Sequence, residues 1–313
     1  MIKSNFSEKR SFRSLGTEIY VEVISESGRE EELKKARRDI GEIENLYRAK
    51  EDIFSRFKKT SEISLINQTI GKFQKCSSDI SRVAGRALFY NKMSGGIYDP
   101  RVIGILEKIG YREDFRKTDF SRMEIPENFD RIEKGLNEDL KIEGNEIFFG
   151  RRMDFSGIAK GYITDCAAKF LKKKGWINFL VDSGGDIYAA GKNADGDKWR
   201  IEIEGIPKEK LMLEISNRGI ATSGISRKKW RIKGRKFHHL VNPKNPNEFS
   251  YELRTVTVVE KDTENADGRA KVLVLLGKKN GMMFAKKNKI AAIFLDYKGN
   301  VFISPEAKKY LAK

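Results

Sequence analysis

Apolar and polar positions alternate from Thr17 to Ile24, with Ile19, Val21 and Val23 on one side and Glu18, Tyr20 and Glu22 on the other. That two-residue period predicts a half-buried strand, and Gly28 breaks it. From Glu30 to about Arg56 the period lengthens. Leu33, Ala36, Ile40, Ile43, Leu46 and Tyr47 fall on one helical face and predict the longest helix of the chain. The segment F-S-R-F-K-K-T-S-E-I-S-L-I-N then leaves that helix for a short turn, capped by Thr60 or Ser61 and ending at Asn67. Ser78 to Met93 predicts a second helix, stopped by Gly95-Gly96, and a turn at Asp99-Pro100 leads into a short one. Residues 111–140 are polar and without period, which predicts an irregular surface connection before a strand at Ile147–Phe149.

The stretch from Met153 to Gly191 organises the rest. After Asp154 and the turn at Ser156-Gly157, Ile158, Ile163, Ala167, Phe170 and Leu171 recur at helical spacing up to Gly175, a C-terminal stop. Phe179–Asp182 and Ile187–Ala190 then read as two strands joined through Ser183-Gly184-Gly185. Lys160 and Asp165 are expected on the first turns of this helix, where free N–H groups and the macrodipole favour an anion. The double glycine admits a bulky ligand close to the backbone. A capped helix with a solvated lysine, followed by a tight hairpin, explains the same residues equally well.

Beyond it, strands are expected at Trp199–Glu204, Leu211–Ile215, Gly219–Gly224, Lys236–Val241, Leu253–Val259, Ile290–Leu295 and Val301–Ile303. Helices are expected at Asn265–Leu276 and Pro305–Leu311. Helices and strands are mixed, and many neighbouring strands are joined by turns. The expected class is therefore α+β, with mixed or antiparallel sheets flanked by helices.

The chain has 313 residues, enough for one large domain or two fused lobes with a sizeable core, and one unit spanning 1–313 is expected. Its formal net charge of +17 suits an anionic partner. The lysines and arginines are spread along surface positions, however, with no aromatic residues interleaved, so a nucleic-acid partner is not expected. Cys76 and Cys166 sit in no metal or disulfide motif, and Cys166 falls on the apolar face of the central helix. The N-terminus shows no apolar leader and no run reaches membrane-spanning length. The chain as written is expected in the cytoplasm, although one trimmed of a signal or lipid anchor would read the same.

Six segments, in order, resemble the ApbE-like FAD:protein FMN transferases: L-G-T near residue 15; F-S-R-F-K-K-T-S-E-I-S-L-I-N; G-G-I-Y-D-P-R-V-I-G; M-D-F-S-G-I-A-K-G-Y-I-T-D with S-G-G-D-I-Y-A-A-G; G-I-A-T-S-G with F-H-H-L-V-N-P; and V-T-V-V with N-A-D-G-R-A. The resemblance implies an ApbE-like fold and cleavage of the FAD diphosphate. FMN would pass to a Thr or Ser hydroxyl of an acceptor protein, AMP would leave, and Mg²⁺ would assist. It also implies roles. Asp154 would contact the flavin nucleotide, and Phe57 with Ile97, Tyr98 and Asp99 would hold part of the FAD. Lys160, Asp165 and the Ser183-Gly184-Gly185 turn would serve the phosphates. The Gly157 carbonyl and Asp267 would reach the metal, with Asp267 counted in the catalytic centre. His239 would be the base for the acceptor hydroxyl, and His238 would point to the opposite face of its strand.

The chain departs from the family pattern in telling places. Where the family has A-D-A-L-A-T, with Asp and Thr as metal ligands, this sequence reads A-D-G-R-A-K, so Lys271 stands at the hydroxyl position. An ammonium cannot ligate a cation. Either Lys271 turns away, or its ammonium pairs with Asp267 and takes the metal's space. Asn242 replaces an Asp of the histidine segment, and Ser223 to Ser226 read S-G-I-S instead of S-G-D-Y. The alternatives to transfer are hydrolysis of FAD to FMN and AMP, or FAD binding without catalysis.

Overall fold

The computed structural model describes residues 6–112 and 124–312. It opens with a hairpin: β1 (Phe6–Ser14) and β2 (Thr17–Ser25) pair antiparallel across Leu15 and Gly16, both left-handed. The pattern gave no strand for β1 because its residues are largely polar and exposed at a sheet edge. Among them Phe12 packs edge-on to Tyr47 at 5.5 Å between ring centres. Next come α1 (Glu30–Phe54), α2 (Glu62–Ile66), β3 (Phe73–Lys75) and α3 (Ser78–Met93). The Ser61 hydroxyl caps α2 by accepting from the Ser64 N–H, and Ser77 caps α3 in the same way through Ile80. A 3₁₀ turn at Pro100–Val102 runs into α4 (Ile103–Lys108).

Within the connection expected at 111–140, residues 113–123 lie outside the described ones. Beyond them the chain is anchored. Phe129 is buried with Trp230 and Phe237, and Ile132 N–H donates to the Pro243 carbonyl at 3.1 Å. Arg101 donates to the carbonyls of Lys134 and Gly135 and to Asp139, fixing α5 (Leu136–Asp139). Isolated apolar anchors in a polar run carry no period, so the pattern could not reveal them.

After β4 (Leu140–Glu143) and β5 (Glu146–Phe149) comes α6 (Ser156–Lys173), ended at a left-handed Gly175. The remaining order is β6 (Phe179–Asp182), β7 (Asp186–Ala190), β8 (Trp199–Glu202), β9 (Met212–Ile215), β10 (Arg218–Gly224), β11 (Lys229–Ile232), β12 (Arg235–His238), β13 (Leu253–Glu260), α7 (Thr263–Lys287), β14 (Ala291–Asp296) and β15 (Val301–Ile303). A 3₁₀ segment at Pro305–Tyr310 takes the place of the expected final α-helix. The helix expected to end at Leu276 breaks at Gly277 (φ 75°), after which a Lys-rich second part continues to Lys287.

The main sheet has eight strands in the order β1-β2-β6-β7-β10-β13-β14-β15, and every pairing in it is antiparallel. Smaller sheets are β3-β5-β4, β8-β9 and β11-β12, so the α+β class holds and the described sheets are antiparallel rather than mixed. Alternate residues of the main sheet feed two cores. Val21, Phe179, Val181 and Tyr188 face α1, α3 and α6, while Leu180, Ile187, Ala189 and Ile220 face the β8-β9 hairpin. α7 covers the far half of the first face through Ala266, Ala270 and Leu273, against Val256, Val258 and Phe294.

Candidate functional site

The site forms where the starts of α6 and α7 meet beside the β6-β7 turn. Their close approach depends on Gly161, because a methyl there would lie 2.6 Å from the Thr263 carbonyl and 2.8 Å from Asp267 Cβ. The contact lets the Gly161 N–H donate to Asp267 Oδ2 at 3.2 Å. Asp165 fastens the junction. It sits in the third turn of α6, not the first, and its two carboxylate oxygens accept from the N–H groups of Thr263 (2.8 Å) and Glu264 (2.9 Å). The expected anion-site role for Asp165 is therefore replaced by capping of α7. Burial, partly offset by these bonds, raises its pKa to about 6.

Two ammonium groups converge here. Lys160 Nζ lies 2.9 Å from Asp186 Oδ2 and donates to the Ser183 carbonyl at 3.2 Å. Burial opposes its charge, but Asp186 and then Asp267 outweigh burial and lift its pKa above the ordinary lysine value. Lys271 Nζ lies 3.5 Å from Asp267 Oδ1, so of the two arrangements the sequence left open, the paired one is adopted. Burial and the Asp186 charge raise Asp267 to about 6, against the pull of Lys271 and Lys160. The Tyr98 hydroxyl is buried beside this cluster and has no hydrogen-bond partner among the described residues. Burial, then Asp154 and Asp267, push its pKa well above the usual tyrosine value, so it stays a donor.

His239 lies just past the end of β12, half-buried, with Nδ1 donating to the Lys228 carbonyl at 3.4 Å. That bond assigns the free lone pair to Nε2. Burial first, then the charges of Lys228 and Lys271, hold its pKa well below the ordinary histidine value. His238 turns into the protein instead, with Nε2 donating to the Ser250 carbonyl at 3.0 Å between the rings of Phe249 and Tyr251.

The other expected residues divide between the site's surface and its frame. Phe57 is exposed, and the Arg56 guanidinium lies 4.2 Å from its ring centre while pairing with buried Asp154 at 3.0 Å. Asp154 also accepts from the Ser156 N–H, which fixes the start of α6. Asp99 is committed elsewhere: its oxygens take the Arg101 guanidinium at 2.7 and 2.9 Å, leaving half-buried Ile97 and Tyr98 as the part of that turn beside the site. The Ser183 hydroxyl points inward to Tyr47 and Thr164, both at 2.6 Å. Ser183 N–H donates to the Asp186 carbonyl and Gly185 N–H to Asp182, so the turn has two of its three amides engaged internally. At Gly184 (φ 67°) a methyl would strike Thr17 Oγ1 at 2.1 Å. On the turn's other side is an open cavity of about 550 Å³, lined by Gly184, Gly185, Thr222 and Arg227 among others. Lys160, Asp267 and His239 are not in its wall, so the polar cluster and not the cavity marks the chemistry.

The donor set does not suit a divalent cation as a resident group. No cluster of three or more His, Cys, Asp or Glu side chains is placed to hold a metal among the described residues. That alone is not decisive for Mg²⁺, which often takes only one or two carboxylates. Lys271 decides it. Its ammonium stands against the Asp267 oxygen a cation would need. Two unit charges about 4 Å apart at an effective dielectric of about 20 repel by about 4 kcal/mol, and a divalent ion by about twice that.

Comparison with known proteins gives this geometry a family. The sequence profile described as the ApbE family matches residues 15–294. The chain belongs to the ApbE family. It is 27% identical to the FAD:protein FMN transferase of Haemophilus influenzae, over 96% of this chain and 89% of that protein. Against the FAD:protein FMN transferase of Vibrio cholerae it is 29% identical, over 96% and 91%. The solved flavin transferase ApbE from Vibrio cholerae superposes with a TM-score of 0.79 at 26% identity, covering 98% of this chain and 99% of that one. The apbe protein of Thermotoga maritima shares the fold, with a TM-score of 0.83 at 18% identity over 98% and 100%.

The ApbE-like pattern did not single out the supports of this site. Arg56 reaches Asp154 from just past α1, and Asp186 pairs with Lys160 from the start of β7. Arg86 on α3 pairs with Glu264 and donates to Asn265 Oδ1 and the Tyr90 hydroxyl, tying α3 to the first turn of α7. The signal for Asp186 was present in S-G-G-D. Arg56 stood within F-S-R-F with nothing to mark its role, and Arg86 looks like any charged helix residue until the partner carboxylates are placed.

Proposed function

We propose that this protein transfers FMN from FAD to a Thr or Ser hydroxyl of an acceptor protein, releasing AMP. The observation that carries the reading is the gathering of Lys160, Lys271, Asp267 and the unpartnered Tyr98 hydroxyl beside the start of α6, with a neutral His239 that feels the Lys271 charge. Membership of the ApbE family and likeness to transferases over nearly the whole chain support it. Lys160 and Lys271 meet the FAD phosphates as point charges, and Tyr98 donates a hydrogen bond to a phosphate oxygen. The exposed Phe57 ring and its Arg56 neighbour offer a stacking surface for a flavin or adenine plane. His239 Nε2 takes the proton of the acceptor hydroxyl. The hydroxyl oxygen bonds to the FMN-side phosphorus, the bridging P–O bond breaks, and its electron pair leaves with AMP. No residue in this sequence of events depends on a metal. None of the described helices is long and apolar enough to cross a membrane.

The test is incubation with FAD and an acceptor peptide containing a single Thr, followed by mass spectrometry. Peptide gaining the mass of FMN less one water, with an equal amount of AMP, is the expected result. AMP without modified peptide would replace transfer by hydrolysis, and neither product would remove the catalytic reading.

A further inference from the structure

We infer that the Lys271 ammonium is a built-in replacement for a divalent cation, so that FAD is bound and cleaved without added metal. The inference rests on the proposed reading of the site as an FAD diphosphate centre and adds what neutralises the phosphates there. Four observations point to it. Lys271 Nζ is 3.5 Å from Asp267 Oδ1, and its side chain is mostly buried. Its stem is held inward: a methyl group on Gly157 would stand 3.4 Å from Lys271 Cδ and 3.6 Å from the Tyr98 hydroxyl. The Lys271 stem therefore lies against the same glycine as a buried phenol that has no partner among the described residues, a donor left for an anionic oxygen. The Lys271 charge also helps keep His239 neutral, so a single residue serves the phosphate and the state of the base.

The chemistry balances without a metal. Charge developing on the bridging oxygen as AMP departs is met by the two ammonium groups, which are already oriented. The acceptor proton goes to His239 Nε2. Asp267 then has the role of holding Lys271 in place through the ion pair and holding α6 through the Gly161 N–H. In this arrangement the carboxylate positions a cation that belongs to the chain.

FAD binding to the intact protein, followed by flavin fluorescence, and AMP release should be measured in EDTA and in excess Mg²⁺. Affinity and rate are expected to agree within about twofold between the two. Lys271→Met is expected to weaken FAD binding about tenfold or more, with no rescue by Mg²⁺. Lys271→Thr is expected to become sensitive to EDTA and to bind Mn²⁺, read by electron paramagnetic resonance, which the unaltered protein does not. Saturable Mn²⁺ binding by the unaltered protein, or loss of FAD affinity in EDTA, would overturn the inference while AMP release with Mg²⁺ left the transferase reading intact. Metal-independent FAD binding with no AMP under any condition would overturn metal-free cleavage together with the transferase reading, and leave to Lys271 only the binding of FAD. An Lys271→Met variant that folds, by its circular dichroism, yet binds FAD as before would also overturn it.

Discussion

His239 is kept neutral by burial and by two positive neighbours, and this decides how it can act. A base is lost when it becomes protonated, which happens as pH falls through its pKa. Because that pKa is depressed well below the ordinary value of 6.5, transfer should stay level from about pH 8 down to 6.5. Lys228→Met removes a positive charge, raises the histidine pKa and should move the acid limb upward. A pH–rate profile of both proteins checks this, and an acid limb that does not move would mean His239 is not the titrating base. His239→Ala should lower the transfer rate by about 10²–10⁴-fold and leave FAD affinity unchanged. The candidacy of His239 was legible in the sequence, where both histidines of the chain stand together beside a proline turn. Its tautomer was not, because that depends on the carbonyl of Lys228, eleven residues earlier and just before the neighbouring strand.

At the scale of elements, the site depends on how closely two helices cross. Gly161→Ala puts a methyl against the Thr263 carbonyl and Asp267 Cβ, and should cost about 1–3 kcal/mol of stability in urea. It should also weaken FAD binding, since α6 and α7 carry one ammonium each; a variant of unchanged stability and affinity would show the contact is not tight. Asp165 supplies the second device. Its folded pKa of about 6 lies above the ordinary 3.8, so its contribution to stability is greatest below about pH 4 and declines as pH rises to about 6. Asp165→Asn keeps one acceptor, places an amide donor against the second N–H, and should destabilise the fold by about 1–3 kcal/mol. The gap between the two proteins should narrow from pH 4 to pH 6 in urea titrations, and a gap that widens would contradict the raised pKa. Periodicity located both helices well. It said nothing of their crossing, which made Asp165 look like part of an anion site when it is the cap of a helix almost a hundred residues later.

Across the whole molecule, the fold was readable where burial imposes a rhythm. β2, β6, β7, β13 and β14 are buried on one or both faces and stand out as alternating or continuous apolar runs. Besides the short β3 and β4, the pattern showed no strand at β1 and β11. Both are rich in charge, and β11 is defined by its hairpin with β12 across left-handed Lys233 and Gly234. Motifs revealed the polar centre better than periodicity did, yet they assigned Asp99, Ser183 and Asp165 to ligand contacts when the fold spends them on its own bonds. These three share a physical reason: each is a buried polar side chain that can satisfy itself only within the protein. The groups left over, two ammoniums, a phenol and a neutral imidazole, are those that FMN transfer would use. The most direct measurement of it uses FAD radiolabelled on the FMN-side phosphorus, with an acceptor protein present. Attack at that phosphorus predicts label in the protein-bound flavin and none in AMP. Label released as free FMN alone, or retained in intact FAD, would contradict transfer.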